Sequence, residues 1–382
     1  VSSGISFPDH KITCVIQDTQ IKGWIDYEIH SSMIEPASRF AMNIPFDLAV
    51  WGLTVPDAAI QILIDDVEVL TGFIDEHLMP EGDDVIRIVG RNRYGRMVDE
   101  SAPTINYANL TMFELVTQVA SPWYTNVVFT NARNRRVTRG RGKKARAGDE
   151  PVVLFARKAI GTRINPGMSR HQVIEDLCAQ SGCLVFPSGD GSELIIGQPN
   201  YEQEPQFYFF MPQADSTRVD QSTVLAMGIS ESVAERYSRV IVVGSGTGTD
   251  ANYGATVASR YAQSFNDPLT ADGTGLDFRQ RKCLIAVRPV NSIAEAQELA
   301  DREMARRDMS RRKITVRSQG HGQVIAGVYT TIFAPDLLAL VEDERTMTKG
   351  TYIVTDCTFH GNREGAEETS LTLLPKGAVL IS

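Results

Sequence analysis

Apolar and polar residues alternate with a period of two through much of the first hundred residues. Between Trp24 and His30, Trp24, Asp26, Glu28 and His30 fall on one face, and Ile25, Tyr27 and Ile29 on the other. That is the pattern of a half-buried strand. Ile12 to Gln17, Arg39 to Phe46, Ile60 to Ile64, Glu68 to Ile74 and Val85 to Gly90 continue it. Turn residues punctuate the series at Pro56-Asp57, Asp65-Asp66 and Glu81-Gly82-Asp83-Asp84, where short polar side chains support tight reversals. Six short strands at this spacing predict a small barrel or sandwich.

The pattern changes near residue 105. Thr111 and Glu114 form a capping box ahead of a helical apolar stripe that ends before Pro122. Val127 to Phe129 read as a strand. A second capping box, Ser169 with Gln172, opens a helix carrying Val173, Ile174 and Leu177, with Gly182 suited to its end. Cys183 to Phe186 and Glu193 to Ile196 then form a hairpin around Ser188-Gly189-Asp190-Gly191. Residues 106–221 are therefore expected as an α+β insertion.

Strand patterns return from about residue 222, at Met227 to Val233, Ser238 to Val243 and Cys283 to Val287. A long helix, 292–311, interrupts them, with Ser292 and Glu295 as its capping box and Ile293, Ala296, Ala300 and Met304 as its apolar stripe. Glu298–Arg302 and Glu303–Arg307 pair on its outer face. Five further strand patterns follow, Ile314 to Arg317, Tyr329 to Phe333, Leu338 to Val341, Tyr352 to Phe359 and Ser370 to Leu374. The fold class expected is α+β and mainly β. A faint echo links Thr71-Gly72-Phe73-Ile74-Asp75 to Gly350-Thr351-Tyr352-Ile353-Val354-Thr355-Asp356.

Composition is ordinary for a globular protein of 382 residues, 42% apolar and 22% charged. No apolar stretch approaches the ~20 residues that span a bilayer, and Val1 to His10 lack the pattern of a secretory signal; synthesis in a cytoplasm is expected. The cysteines, Cys14, Cys178, Cys183, Cys283 and Cys357, are odd in number and scattered, which favours small buried residues over a disulfide framework or a zinc site. The net charge of −9 is unevenly placed. Residues 131–150 carry Arg133, Arg135, Arg136, Arg139, Arg141, Lys143, Lys144 and Arg146 against Asp149 and Glu150, so this segment is +6 and the remainder −15. Three readings of the basic loop stand open: a solvated surface loop, a loop docking on an acidic neighbour, and a contact with nucleic acid. Its charge suits phosphate, but no aromatic residue is interleaved for base stacking.

Candidate chemistry is sparse. Gly244-Ser245-Gly246-Thr247-Gly248 follows a strand pattern, but a phosphate-binding loop needs a helix next, and none is patterned there. The histidines, His10, His30, His77, His171, His321 and His360, show no metal-binding spacing, and no Gly-x-Ser-x-Gly elbow is present. No catalytic residue, metal or cofactor is expected.

Several segments resemble the baseplate hub proteins of Mu-like contractile phage tails. Val15, Gly23-Trp24, Ile29, Ser31-Ser32, Ala37 and Phe40 look like that family's opening. Thr71-Gly72-Phe73-Ile74-Asp75, Ile88-Val89-Gly90-Arg91-Asn92 and Met97-Val98-Asp99-Glu100-Ser101 follow in the same order. Arg236-Tyr237-Ser238-Arg239-Val240, Val243-Gly244, Gly320-His321-Gly322-Gln323, Gly327-Val328-Tyr329 and Gly350-Thr351-Tyr352-Ile353-Val354 resemble its second β domain. The resemblance implies two related β-barrel-like domains, 1–105 and 222–382, flanking the insertion 106–221. It further implies a non-enzymatic homotrimer, a pseudo-sixfold ring that adapts a sixfold tail tube to a threefold central spike. Its partners would be its own copies, the spike, the tube, other baseplate proteins and the tape-measure protein, with phage DNA in transit during ejection and host cell penetration. No integral membrane association is implied, and an acidic body would repel phosphate from the lumen. The rival reading is a tail-associated cell-wall hydrolase.

Overall fold

The computed structural model describes residues 10–21, 23–103, 110–130, 164, 166–181, 183–197, 199–232, 237–244, 260–265, 282–287, 312–325, 328–363 and 367–376, and seven positions between 296 and 307. Alternation sets the first β segment: β1 (Ile12–Ile16), β2 (Thr19–Ile21), β3 (Asp26–Ser32), β4 (Arg39–Pro45), β5 (Ala59–Ile64), β6 (Val67–Leu78) and β7 (Val85–Asn92). Along β4, Phe40, Met42 and Ile44 are buried while their neighbours are half-buried or exposed, as period two requires. A short helix α1 (Leu48–Leu53), capped by the Asp47 carboxylate on the Ala49 and Val50 amides, links β4 to β5.

The middle of the chain builds a second, smaller layer. It comprises α2 (Tyr94–Asp99), α3 (Met112–Ala120), β8 (Val127–Thr130), α4 (Arg170–Ser181), β9 (Leu184–Pro187) and β10 (Leu194–Gly197). The Thr111–Glu114 capping box is formed in both directions, and Ser169 and Gln172 make the same exchange at α4. The guanidinium of Arg170 donates to the carbonyls of Val119 (2.7 Å) and Ser121 (2.5 Å), placing a cation at the end of α3 where helix carbonyls lack partners. Leu115, Val116, Val119, Val173, Ile174, Leu194 and Ile196 form this layer's own core.

The second β segment contains β11 (Phe207–Met211), β12 (Ala226–Glu231), β13 (Arg239–Gly244), β14 (Arg260–Phe265), β15 (Lys282–Val287), β16 (Arg312–Gln319), β17 (Gly322–Ile325), β18 (Val328–Ile332), β19 (Leu338–Asp343), β20 (Thr348–Asn362) and β21 (Glu368–Pro375). β13, β14 and β15 form a separate small sheet. Ala296, Ala300 and Met304 of the expected long helix are helical and buried; Glu303 accepts from Arg307 at 2.5 Å, but Glu303 is itself buried and so does not lie on an outer, solvated face as its spacing suggested. The helix start at Ser292, the Glu298–Arg302 pair, residues 245–250 and the whole basic segment 131–150 lie outside the described residues.

The chain is α+β and mainly β, and its two β segments meet in one sheet. The order runs β12-β16-β21-β20-β3-β4-β7-β6-β5-β1-β2, with β11 and β19 branching from β20. The join is an antiparallel ladder between β3 and β20, from Asp356 opposite Ser32 to Asn362 opposite Asp26. One hydrophobic core spans both segments and holds Ile29, Phe40, Ile62 and Ile88 together with Phe207, Ile314, Val354 and Phe359. β11, within the stretch expected as insertion, pairs parallel with β19.

Ladder by ladder the two segments repeat one plan. β5-β6-β7-β4-β3 corresponds to β19-β20-β21-β16-β12. In each, the ladder between the long strand and the strand that follows it is irregular at the equivalent place, between Ile74 and Glu76 in β6 and between Val354 and Asp356 in β20. An extra residue there bends the strand; in β20 the half before the bend pairs with β19 and the half after it with β3. The faint echo noted in the sequence coincides with these two bends.

Candidate assembly surface and buried polar cluster

The first sequence motif explains itself in backbone terms. A Cβ on Gly72 would stand 2.0 Å from the Arg91 carbonyl oxygen, and one on Gly90 would stand 2.1 Å from that of Phe73 and 2.7 Å from the Phe40 ring. Glycine permits this closeness of β6 and β7. The extra residue Asp75 accepts from Arg91 Nε at 2.7 Å, and Arg91 also reaches Asp99 at 2.6 Å, so the bend is tied to α2.

Six polar residues from distant positions converge where the two β segments meet. His321 Nδ1 lies 2.9 Å from Thr369 Oγ1, whose own hydroxyl donates to the Gly320 carbonyl at 2.7 Å. Thr369 must therefore accept, and His321 Nδ1 carries the proton. That leaves His321 Nε2 to accept from the Tyr27 hydroxyl at 2.6 Å. His10 Nε2 accepts the His321 amide at 2.9 Å, so its Nδ1–H donates to Asp65 at 2.6 Å. The His10 amide donates to Glu367 at 3.0 Å. Burial, reinforced by nearby His10, lowers the His321 pKa to about 3. Burial opposes ionisation of Asp65, yet the Lys11 amide and His10 hold its carboxyl below the ordinary range. Burial pushes the Tyr27 phenol up, with the Glu367 charge adding to it.

An Asp–His arrangement of this kind could in principle activate a nucleophile. Here the His10 side chain and His321 are fully buried, and every ring nitrogen is committed to a partner within the cluster. The arrangement is a clasp between segments and offers a substrate no approach. Neither histidine has a local pattern that announces it; they are 311 positions apart. Gly320-His321-Gly322-Gln323 was singled out only through the family resemblance.

The polar face of the joined sheet carries two open grooves. One, of about 610 Å³, is lined by Asp26, Glu28, Asn43, Arg87, His360 and Glu368. The other, of about 450 Å³, is lined by His30, Glu35, Lys313, Arg317 and Asp356. Their acids are already engaged: Asn43 donates to Asp26 at 2.8 Å, Ser32 to Asp356 at 2.6 Å, and Glu368 pairs with Arg317 at 3.5 Å. Among the described residues no group of three or more histidine, cysteine or acidic side chains is placed to hold a metal ion. Cys14, Cys178, Cys183 and Cys357 are buried thiols. No helix among the described residues is long and apolar enough to cross a membrane. The expected interaction residues, Arg133 to Arg146, lie outside the described residues.

Residues 11–92 match the family described as Mu phage baseplate assembly protein GpP-like, N-terminal. No curated protein matches the chain. Among solved structures, the tail protein from Neisseria meningitidis MC58 is similar at 20% identity and a TM-score of 0.71, over 97% of each chain. The 43 kDa tail protein of prophage MuSo2 from Shewanella oneidensis is similar at 16% identity and a TM-score of 0.69, over 97% of this chain and 99% of that one. Prophage tail protein gp18 from Listeria monocytogenes EGD-e is similar at 8% identity and a TM-score of 0.56, over 94% of each. At these identities the likeness establishes a shared fold over nearly the full length.

Proposed function

We propose that this protein is a structural component of a phage tail baseplate, located in the virion, and that it works there as a homotrimeric hub. Each chain supplies two quasi-equivalent β units, residues 1–105 and 222–382, with residues 106–221 as the α+β part between them. Three chains then present six similar units, which match a sixfold tail tube on one side and a threefold spike on the other. The observation that carries this is the repeated ladder plan, with its matched bends in β6 and β20, on a fold shared with phage tail proteins and in a chain whose first β segment matches a baseplate family. The protein is not an enzyme on this reading, because its most elaborate polar cluster is sealed and used to join segments. The basic residues Arg133 to Arg146 are an interaction loop for an acidic protein surface.

Light scattering behind a sizing column, over a range of concentrations, tests the ring. A mass three times the 42.1 kDa chain is expected; a strict monomer at every concentration refutes it. Neutralising the eight basic residues is expected to weaken assembly while leaving DNA retention in a shift assay unchanged. Loss of DNA retention instead would assign the loop to nucleic acid.

A further inference from the structure

We infer that Cys178 and Cys183 form a redox site, a pair of thiols placed to close into a disulfide that fastens the end of α4 to the start of β9.

The way α4 ends brings the two residues together. The Cys183 amide donates to the Cys178 carbonyl at 2.9 Å, the closure in which a residue just past a helix reaches back over its last turn. Side chains at the two ends of such a bond commonly meet in an apolar contact. Both cysteines belong to the core cluster of the smaller layer, at 1% and 4% exposure. The hydrogen bond also limits their separation. A carbonyl oxygen lies about 2.4 Å from its own Cα, and an amide nitrogen about 1.5 Å from its own. With the bond between them, the two Cα atoms cannot stand farther apart than about 6.8 Å, which is within the span of a disulfide. Burial holds the Cys178 thiol well above its ordinary pKa, and the charges of Cys183 and Glu175 add to the effect. The other buried cysteines are not paired in this way. Cys14 lies opposite Ile21 and Ile62, and Cys357 opposite Leu371 and Ser31.

The step is thiol–disulfide exchange with a small disulfide such as glutathione disulfide. One cysteine, as its thiolate, attacks a sulfur of the small disulfide, forming a mixed disulfide and releasing one glutathione thiol. The second cysteine, as its thiolate, attacks the protein sulfur of that mixed disulfide and releases the other glutathione thiol. The protein gives up two electrons and two protons, and the small disulfide takes up both. Because the thiols are buried and protonated, exchange runs through openings of the α4 end, and the bond forms slowly. Once formed, it is shielded from reductants by the same burial. Such a pair is reduced in a cytoplasm and oxidised outside one. The bond does not depend on the ring reading, and its test is independent of oligomeric state.

The purified full chain, incubated at length with glutathione disulfide or with dithiothreitol, is unfolded, alkylated with N-ethylmaleimide and digested with trypsin. No Lys or Arg lies between His171 and Thr217, so one peptide, 171–218, carries both cysteines. After dithiothreitol this peptide is expected to bear two alkyl groups. After glutathione disulfide it is expected to bear none, and to accept two once it is reduced. The urea midpoint of the parent should rise on oxidation, and that of Cys178→Ala should not; Cys183→Ala serves equally if the first variant does not fold, and the peptide masses of the parent need no variant. Two alkyl groups on the peptide after oxidation, or glutathione adducts in place of an internal bond, would overturn the redox site. An internal bond with no change in midpoint would overturn the fastening of α4.

Discussion

Asp336 offers a perturbation whose sign and size follow from its surroundings. It sits in the turn between β18 and β19 at a positive φ of 66°, and its Oδ1 accepts the Asn200 amide at 3.1 Å. Burial raises its pKa to about 6, against the opposing pull of the Asn200 amide. An unfolded aspartate titrates near ~3.9. The folded pKa lies above the unfolded one, so the folded protein binds the extra proton. The contribution to stability is complete below about pH 4 and is lost as pH rises through about 6. A displacement of about two units corresponds to at most about 3 kcal/mol, and the half-buried side chain retains enough water contact to bring the expected cost to about 1–2 kcal/mol. Asp336→Asn keeps the acceptor oxygen, tolerates positive φ and cannot ionise. Urea-unfolding midpoints should be nearly the same for variant and parent at about pH 4, and should diverge in favour of the variant by about pH 7. A difference that is constant across pH, or a variant less stable at neutral pH, would refute the assignment of burial as the cause.

Two other substitutions probe the joint and the β6–β7 contact. Tyr27→Phe removes the donor to His321 Nε2 and leaves a buried acceptor unmet, with an expected loss of about 1–3 kcal/mol in chemical denaturation; an unchanged midpoint would mean the tautomers are assigned wrongly. Gly90→Ala forces a methyl group against the Phe73 carbonyl and the Phe40 ring, and should cost more than about 3 kcal/mol or prevent folding, whereas a soluble variant of parental melting temperature would show that β6 and β7 can separate without penalty.

Local pattern made much of the fold legible. Alternation located most strands of both β segments, though not β2, β14 or β17, and the capping boxes at Thr111 and Ser169 marked helix starts that the structure bears out. Elements without that grammar escaped. α1 has only six residues, none of them buried, so it leaves no apolar stripe. β11 reads Phe-Tyr-Phe-Phe-Met with Phe207, Phe209 and Phe210 all buried; burial from both sides erases alternation. The His10–His321 clasp and the β3–β20 ladder unite residues some three hundred positions apart, and no short-range periodicity encodes such a meeting.

The β3–β20 joint also gives the molecule a mechanical grain. Its strands run antiparallel through seven facing residue pairs, from Asp356–Ser32 to Asn362–Asp26. A force directed along the strands loads all of those pairs together, so they must yield in concert. A force across them loads the terminal pair alone, and the rest part in succession. The same joint is therefore stiff to sliding and weak to peeling, and the direction of a load, more than its size, decides whether the two β segments stay together.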